Sequence, residues 1–258
     1  MNPGTDIIKT NSARFSRTRR ILGQDRFEKL CNSRVTVVGL GAVGGYVVEG
    51  LARAGIGNLR LVDFDTIQPT NINRQIFALE STLGSLKAAS ARNRVLDINP
   101  ACHVEDLPLF AATETLDEIF TPRPDLLIDA IDALNPKVQL LAEAYRRQIP
   151  TLSSMGAALR TDPARIRLGD IFDSTNCPLA KHVRKRLRRQ EIGRGITCVY
   201  STEKVNFDYT EPNEEVKIGE TPFSDRGRER NVLGSLPTLT GIFGLTLANE
   251  AIHRLTEL

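Results

Sequence analysis

Apolar and polar positions along the first half of the chain switch between a two-residue and a helical period, and that switching predicts the elements. Residues 34–38 are a short run with β-branched bias, which predicts a buried strand. From 42 to 54, Val43, Val47, Val48, Leu51 and Ala54 recur at helical spacing. A second apolar run, 59–62, stops at Asp63. Helical spacing returns after Lys87, through Ala89 and Val95 to Ile98, and Asn99-Pro100 ends it. A third strand is expected over 102–109 and a short amphipathic helix over 113–120, capped by Thr113. A fourth strand over 125–132, a helix over 136–148 with Pro136 near its first turn, and a fifth strand over 150–158 follow. This alternation predicts a Rossmann-like, doubly wound α/β fold. Its sheet is mainly parallel, with helices on both faces and ligands at the carboxyl ends of the strands.

From about residue 160 the texture changes. An antiparallel strand is expected over 165–171, then a helix over 177–190 with a narrow apolar stripe of Leu179, Val183 and Leu187. Residues 195–203 read as a strand entering a loop. The polar, Pro-, Glu- and Gly-rich stretch 207–230 reads as a mobile flap over the site. A last helix spans 233–257, where Gly241, Gly244 and Ala248 permit close approach to the sheet. Its Leu239, Phe243, Leu247 and Ile252 suit core or subunit packing better than a membrane anchor. At the other end, 1–12 reads as a disordered lead and 13–30 as helix carrying five arginines. The expected organisation is a single domain, 13–258, with N-terminal helices and a C-terminal antiparallel and helical extension, 160–258, on the substrate side.

Composition changes this picture little. The 258 residues are 41% hydrophobic and 25% charged, ordinary for a soluble globule, and a net charge of +3 does not announce a nucleic-acid protein. The four cysteines form no C-x-x-C pair, so no zinc knuckle is expected and reduced thiols in a cytoplasmic protein are. No secretory leader is visible, and Thr240, Thr246, Asn249 and Glu250 interrupt the one long apolar stretch.

The candidate chemistry is concentrated in residues 34–87. Gly39-x-Gly41-x-x-Gly44 follows the first strand directly, so Gly39 and Gly41 allow a tight turn and close approach to phosphate, and Gly44 lets the helix pack near the strand. Ala42 and Val43 lie at the helix start, where free N–H groups attract an anion. Asp63 at the second strand tip suits two ribose hydroxyls. This pattern fits NAD enzymes at least as well as ATP enzymes. Asn71-x-x-Arg74-Gln75 and Lys87 shift the balance, because they follow Asp63-Phe64-Asp65 closely. Two cations aimed at the α-phosphorus of ATP would stabilise charge growing on its oxygens and on the pyrophosphate leaving group.

GLGAVGG, LVDFD, TNINRQ and GSLKA, with ARAGIG, LIDAID and CVYSTE, resemble the adenylation domain of the ubiquitin-activating superfamily. Within it the chain is most similar to the tRNA threonylcarbamoyladenosine dehydratase branch. The resemblance implies ATP and Mg²⁺ as cofactors, a homodimer and a tRNA substrate. It also allows a cysteine desulfurase or sulfur-acceptor partner. It implies that Gly39, Gly41, Ala42, Val43, Gly44, Asp63, Asp65, Asn71, Arg74, Gln75, Lys87 and Asp132 line the nucleotide, with Arg17 reaching it from the other subunit. Arg74, Lys87 and Asp132 would be catalytic. Asp132 is either the Mg²⁺ ligand or a helix cap ahead of Pro136, and Asp129 is expected deeper and structural. Arg17 is otherwise part of a solvated basic helix.

Lys181, Arg184, Lys185, Arg186, Arg188 and Arg189 crowd one helix, which suits either an RNA backbone or pairing with the acidic run 211–220. Lys181, Arg184, Lys185, Arg188 and Arg189 are the candidate RNA contacts. The implied reaction is adenylation of the threonylcarbamoyl carboxylate on adenosine 37, followed by cyclisation with loss of water. Adenylation of the C-terminal glycine of a ubiquitin-like sulfur carrier is the alternative. An NAD-linked oxidoreductase is a third reading. Where some relatives would carry a cysteine, this chain has Asn231, which puts a sulfur relay there in doubt.

Overall fold

Seven strands form one sheet: β1 (Arg34–Val38), β2 (Asn58–Val62), β3 (His103–Leu107), β4 (Leu126–Asp129), β5 (Thr151–Ser154), β6 (Ile166–Asp170) and β7 (Thr197–Ser201). This is a computed structural model, and it describes residues 13–205 and 233–258. The strand order is β3-β2-β1-β4-β5-β7-β6, with every pairing parallel except β6 with β7. The order reverses between β2 and β4 on either side of β1, which makes the carboxyl end of β1 the natural ligand crevice of a doubly wound sheet. The region beyond 160 contributes β6 and β7 to this same sheet.

The helices are α1 (Ser16–Leu22), α2 (Gln24–Asn32), α3 (Gly44–Ala54), α4 (Lys87–Ile98), α5 (Leu116–Phe120), α6 (Leu134–Arg146), α7 (Pro178–Arg188) and α8 (Pro237–Thr256). Successive strand residues face opposite sides, so each strand feeds two cores. Val35, Val37, Leu59, Leu61 and Ile128 join Val47 and Leu51 of α3, Ala91 of α4 and Phe243 and Leu247 of α8. On the other face, Val38, Val62 and Leu127 meet Ile119 of α5 and Leu140 of α6. Further along that face, Cys198 and Tyr200 meet Leu141 of α6 and Val183 and Leu187 of α7. Burying a side chain such as Phe243 or Leu247 contributes about 1.5–3 kcal/mol.

α8 lies against α3 through small residues. A Cβ on Gly244 would stand 2.4 Å from the Val43 carbonyl oxygen and 2.7 Å from Tyr46 Cβ, and one on Gly50 would stand 2.8 Å from Ala248 Cβ. Among the described residues, no helix is long and apolar enough to cross a membrane.

Several elements end sooner than their apolar runs. β4 stops at Asp129 rather than 132, because Val38 pairs with Asp129 and the next residue of β1's chain, Gly39, turns away with φ +90°. β3 stops at Leu107, opposite the last residue of β2, and the pairing of β5 with β7 stops at Ser154 opposite Val199. The helix after the glycine turn starts at Gly44 and not at Ala42. Thr115, not Thr113, precedes α5, and its hydroxyl accepts the Ala112 amide at 3.0 Å. The predicted lead 1–12, the flap 207–230, the acidic run 211–220 and Asn231 lie outside the described residues.

Candidate functional site

The turn after β1 holds three glycines with different burdens. Gly39 has φ +90°, and a Cβ there would meet the Ala130 backbone at 2.9 Å. A Cβ on Gly44 would lie 1.8 Å from the Gly39 carbonyl oxygen. Both are demanded by the fold. Gly41 is not: its Cβ would meet only Gln75 Nε2, at an ordinary 3.8 Å. The space above Gly41 is open to a ligand, at the start of α3. There the Gly45 amide donates to the Gly41 carbonyl at 3.0 Å and the Tyr46 and Val47 amides to the Val43 carbonyl at 3.1 Å, so an anion would meet the amides ahead of Gly45.

Asp63 follows β2 directly and is 9% exposed. Its Oδ2 accepts the Leu40 amide at 2.7 Å and its Oδ1 the Asp65 amide at 2.9 Å. Burial, and then the charge of Asp65, push its carboxyl up, against the pull of Lys87 and the two amides. The carboxylate thus braces the glycine turn while keeping lone pairs for further donors. Lys87 opens α4 and is 7% exposed. Its Nζ lies 2.9 Å from Asp65 Oδ2.

Asn71 ends a short 3₁₀ turn, Pro69–Asn71. Its side-chain oxygen accepts the Gln68 amide at 3.0 Å, and its carbonyl accepts the Arg74 and Gln75 amides at 3.1 and 2.9 Å. Asn71 therefore shapes the turn that carries its neighbours. Gln75 is buried, and its Oε1 has no hydrogen-bond partner among the described residues. A buried orphan acceptor beside an open glycine turn is a place for a ligand N–H or O–H. Arg74 is half-buried. Its guanidinium donates to the Thr70 carbonyl at 2.9 Å and to Asn73 Oδ1 at 2.8 Å, on its own turn. The two predicted cations thus sit in different settings, Lys87 beside Asp65 and Arg74 on the 69–74 turn.

Asp132 is exposed, three residues past the end of β4. A hard divalent cation that keeps water and phosphate oxygens needs only one or two protein carboxylates. Asp132 fits that requirement. Among the described residues, no group of three or more His, Cys, Asp or Glu could hold a metal by itself. Asp129 is fully buried against Lys137, and the sequence reading passed over that lysine.

α7 presents its cations unevenly. Arg184 donates to Ser174 Oγ and Arg186 to Asn135 Oδ1. The Arg188 guanidinium lies 5.2 Å from the centre of the Phe172 ring. Lys181, Lys185 and Arg189 are exposed, and no acidic side chain pairs with them among the described residues. Arg17 is exposed on α1. Burial pushes the thiols of Cys102 and Cys198 up to about 12, so neither is a thiolate at neutral pH. A separate open cleft of about 640 Å³ lies at the amino ends of β5 and β7, lined by Tyr145, Arg146 and Gln190, away from these groups.

Known proteins share this fold and part of this sequence. The Bacillus subtilis tRNA threonylcarbamoyladenosine dehydratase is 43% identical over 189 residues, 73% of this chain and 74% of that protein. The solved Escherichia coli tRNA N6-threonylcarbamoyladenosine dehydratase in complex with AMP superposes with a TM-score of 0.83 at 30% identity, over 95% of each chain. The same enzyme in complex with ATP gives 0.82 over the same share of both chains. A family model described as the ThiF family matches residues 15–258, and this chain belongs to that family.

Proposed function

We infer that the protein is an ATP-dependent tRNA threonylcarbamoyladenosine dehydratase. The observation that carries the reading is the buried lysine at the mouth of the nucleotide crevice: Lys87, 2.9 Å from Asp65 and near enough to Asp63 for its charge to act on that carboxyl. A dehydrogenase has no use for a cation there, whereas adenylyl transfer needs one. Likeness to dehydratases over nearly the whole chain supports tRNA as the substrate.

In this reading Asp63 accepts the ribose hydroxyls, and Gly39, Gly41, Ala42, Val43 and Gly44 border the phosphates. Gln75 offers its orphan oxygen, and Asn71 and Asp65 fix the positions of Arg74 and Lys87. The threonyl carboxylate of the modified adenosine attacks the α-phosphorus. The bond to pyrophosphate breaks as the acyl–phosphate bond forms. Lys87, with Arg74 swung off the Thr70 carbonyl, offsets the negative charge on the phosphate oxygens. An atom of the same modification then attacks the acyl carbon and AMP leaves, so the net change is loss of one water. The nucleophile is internal and has a high effective concentration, so no enzyme thiol is required. Asp132 would hold Mg²⁺, which would supply charge neutralisation to the phosphates.

Residues 13–258 act as one adenylation unit, with the part beyond 160 on the substrate side. Lys181, Lys185 and Arg189 meet the tRNA backbone, with Arg184 and Arg188 behind them. A homodimer brings Arg17 of one subunit to the nucleotide of the other. The exposed Ile242 and Leu245 of α8, 37% and 49% accessible, supply apolar surface for it. The deciding experiment is mass analysis of adenosine 37 after tRNA carrying the linear modification is incubated with protein and ATP. The nucleoside should lose the mass of one water. An unchanged nucleoside, beside active adenylation of a ubiquitin-like carrier, would overturn the reading.

A further inference from the structure

Behind the loop that carries Asp132 lies a charged network that the nucleotide chemistry does not use. Asp129 and Lys137 are both completely buried. Lys137 Nζ donates to Asp129 Oδ2 at 2.5 Å, and the Ser153 hydroxyl donates to the same oxygen at 2.6 Å. Lys137 Nζ also lies 3.3 Å from Ser153 Oγ. The other carboxylate oxygen, Asp129 Oδ1, accepts the Ile131 amide at 3.0 Å.

A buried ion pair is a poor way to gain stability, because desolvating two charges offsets most of their attraction. An apolar pair of similar volume would fill the space at less cost. What the network does secure is the shape of one loop. At its start, Asp129 holds the Ile131 amide, the Ala130 amide donates to the Val38 carbonyl at 2.8 Å, and the Ala130 backbone abuts Gly39. At its end, the Lys137 amide donates to the Ala133 carbonyl at 3.2 Å. Lys137 therefore ties both ends of a five-residue span, through its side chain to Asp129 and through its backbone to Ala133. Asp132 sits between these ties. The same span touches the glycine turn through Gly39, so its shape is set relative to the phosphate crevice.

We propose that Lys137, with Asp129 and Ser153, is a positioning residue that presets Asp132 for the divalent cation that would accompany ATP. The proposal rests on the reading of Asp132 given above. It concerns how the carboxylate is held and not what it touches.

The test compares Lys137→Met, Asp132→Asn and the double variant. Three quantities are read: amide hydrogen exchange at 131–133, the Mg²⁺ concentration that half-saturates calorimetric ATP binding, and kcat and KM for tRNA-dependent pyrophosphate release. Lys137→Met should speed exchange at 131–133 and leave KM for tRNA unchanged. It should raise the Mg²⁺ requirement and lower kcat, each roughly 10–100-fold, as loss of supporting contacts around a metal ligand does. In the Asp132→Asn background the same change should alter neither quantity further. Equal losses in both backgrounds would overturn the proposal, as would a lower melting temperature with Mg²⁺ requirement and kcat intact. A silent Asp132→Asn would overturn the reading of Asp132 itself, which separates the two failures. Ser153→Ala keeps the ion pair and removes one donor. It should reproduce the pattern in smaller measure even if Lys137→Met folds poorly.

Discussion

Lys87 holds Asp65 twice, its Nζ 2.9 Å from the carboxylate and its amide 2.9 Å from the carbonyl. The backbone bond fixes where α4 begins, and the side-chain bond holds a cation beside Asp65. Lys87→Ala should therefore leave the fold standing, because Asp65 is 38% exposed and can be hydrated. ATP–pyrophosphate exchange should fall by about 10²–10³-fold, the usual loss when a charge-stabilising donor is removed. A variant with normal exchange would remove Lys87 from the chemistry.

Gly41 and Gly44 should separate ligand space from fold space. Gly41→Ala meets only an ordinary contact with Gln75, so its melting temperature should match the parent. Its ATP affinity should fall at least tenfold by calorimetry, since each tenfold is only about 1.4 kcal/mol. Gly44→Ala puts a methyl into the Gly39 carbonyl and should destabilise the protein before binding can be measured.

Asp63 gives opposite pH signs for stability and binding. Its folded pKa is raised above the ordinary 3.8 by burial. The folded state then keeps a proton that the unfolded chain has released, so this group makes stability fall as pH rises from 3.8 through the folded value. Ribose hydroxyls donate to the ionised form, so ATP affinity should instead be lost on acidification through that window. Calorimetric titrations at descending pH should show the loss, and Asp63→Asn should bind weakly at every pH.

Glu49 carries the reverse sign. It takes Arg53 at 2.6 Å and Arg94 at 2.9 Å through two atoms, which holds its carboxyl below the usual range despite burial. The stability it adds is present above pH 4.5 and is lost as pH falls through the depressed value. Glu49→Gln should melt lower at neutral pH, and the gap should close in acid.

The outer cations of α7 should govern RNA affinity alone. Reversing Lys181, Lys185 and Arg189 to glutamate should weaken tRNA binding and flatten its salt dependence by about one unit of slope per lost phosphate contact. ATP affinity should not change. An unaltered salt slope would place the tRNA elsewhere.

The stretch from Arg34 to Asp63 was legible because every signal in it is local. The strand is a run, the turn is glycine, the helix is periodic, and the acid follows the second run immediately. Strand ends were less legible. Apolar residues continue past Asp129 and Ser154, but a strand ends where its neighbour stops pairing, and that neighbour is distant in sequence. Lys137 escaped for a related reason. Its partners belong to β4 and β5, and no spacing rule joins a helix lysine to two strand tips. The two settings of Arg74 and Lys87 were equally hidden, since a guanidinium's hydrogen bonds to its own turn leave no trace in composition. The separate settings of the cations on α7 were hidden in the same way. Ser174, Asn135 and Phe172 engage three of them, and only the folded chain brings those residues near.

Gly244 lets α8 rest on Val43 and Tyr46, the residues that open α3. The helix supporting the nucleotide turn is thus encoded far downstream of the turn itself. During vectorial synthesis the β1–α3–β2 unit emerges early, yet its outer flank stays bare until the ribosome has delivered residues 237–256. Prematurely terminated chains would carry the glycine turn and the candidate residues up to Asp132 and still lack the buttress behind α3. A chain cut short of this distant segment should therefore hold its glycine turn less firmly than the whole protein does.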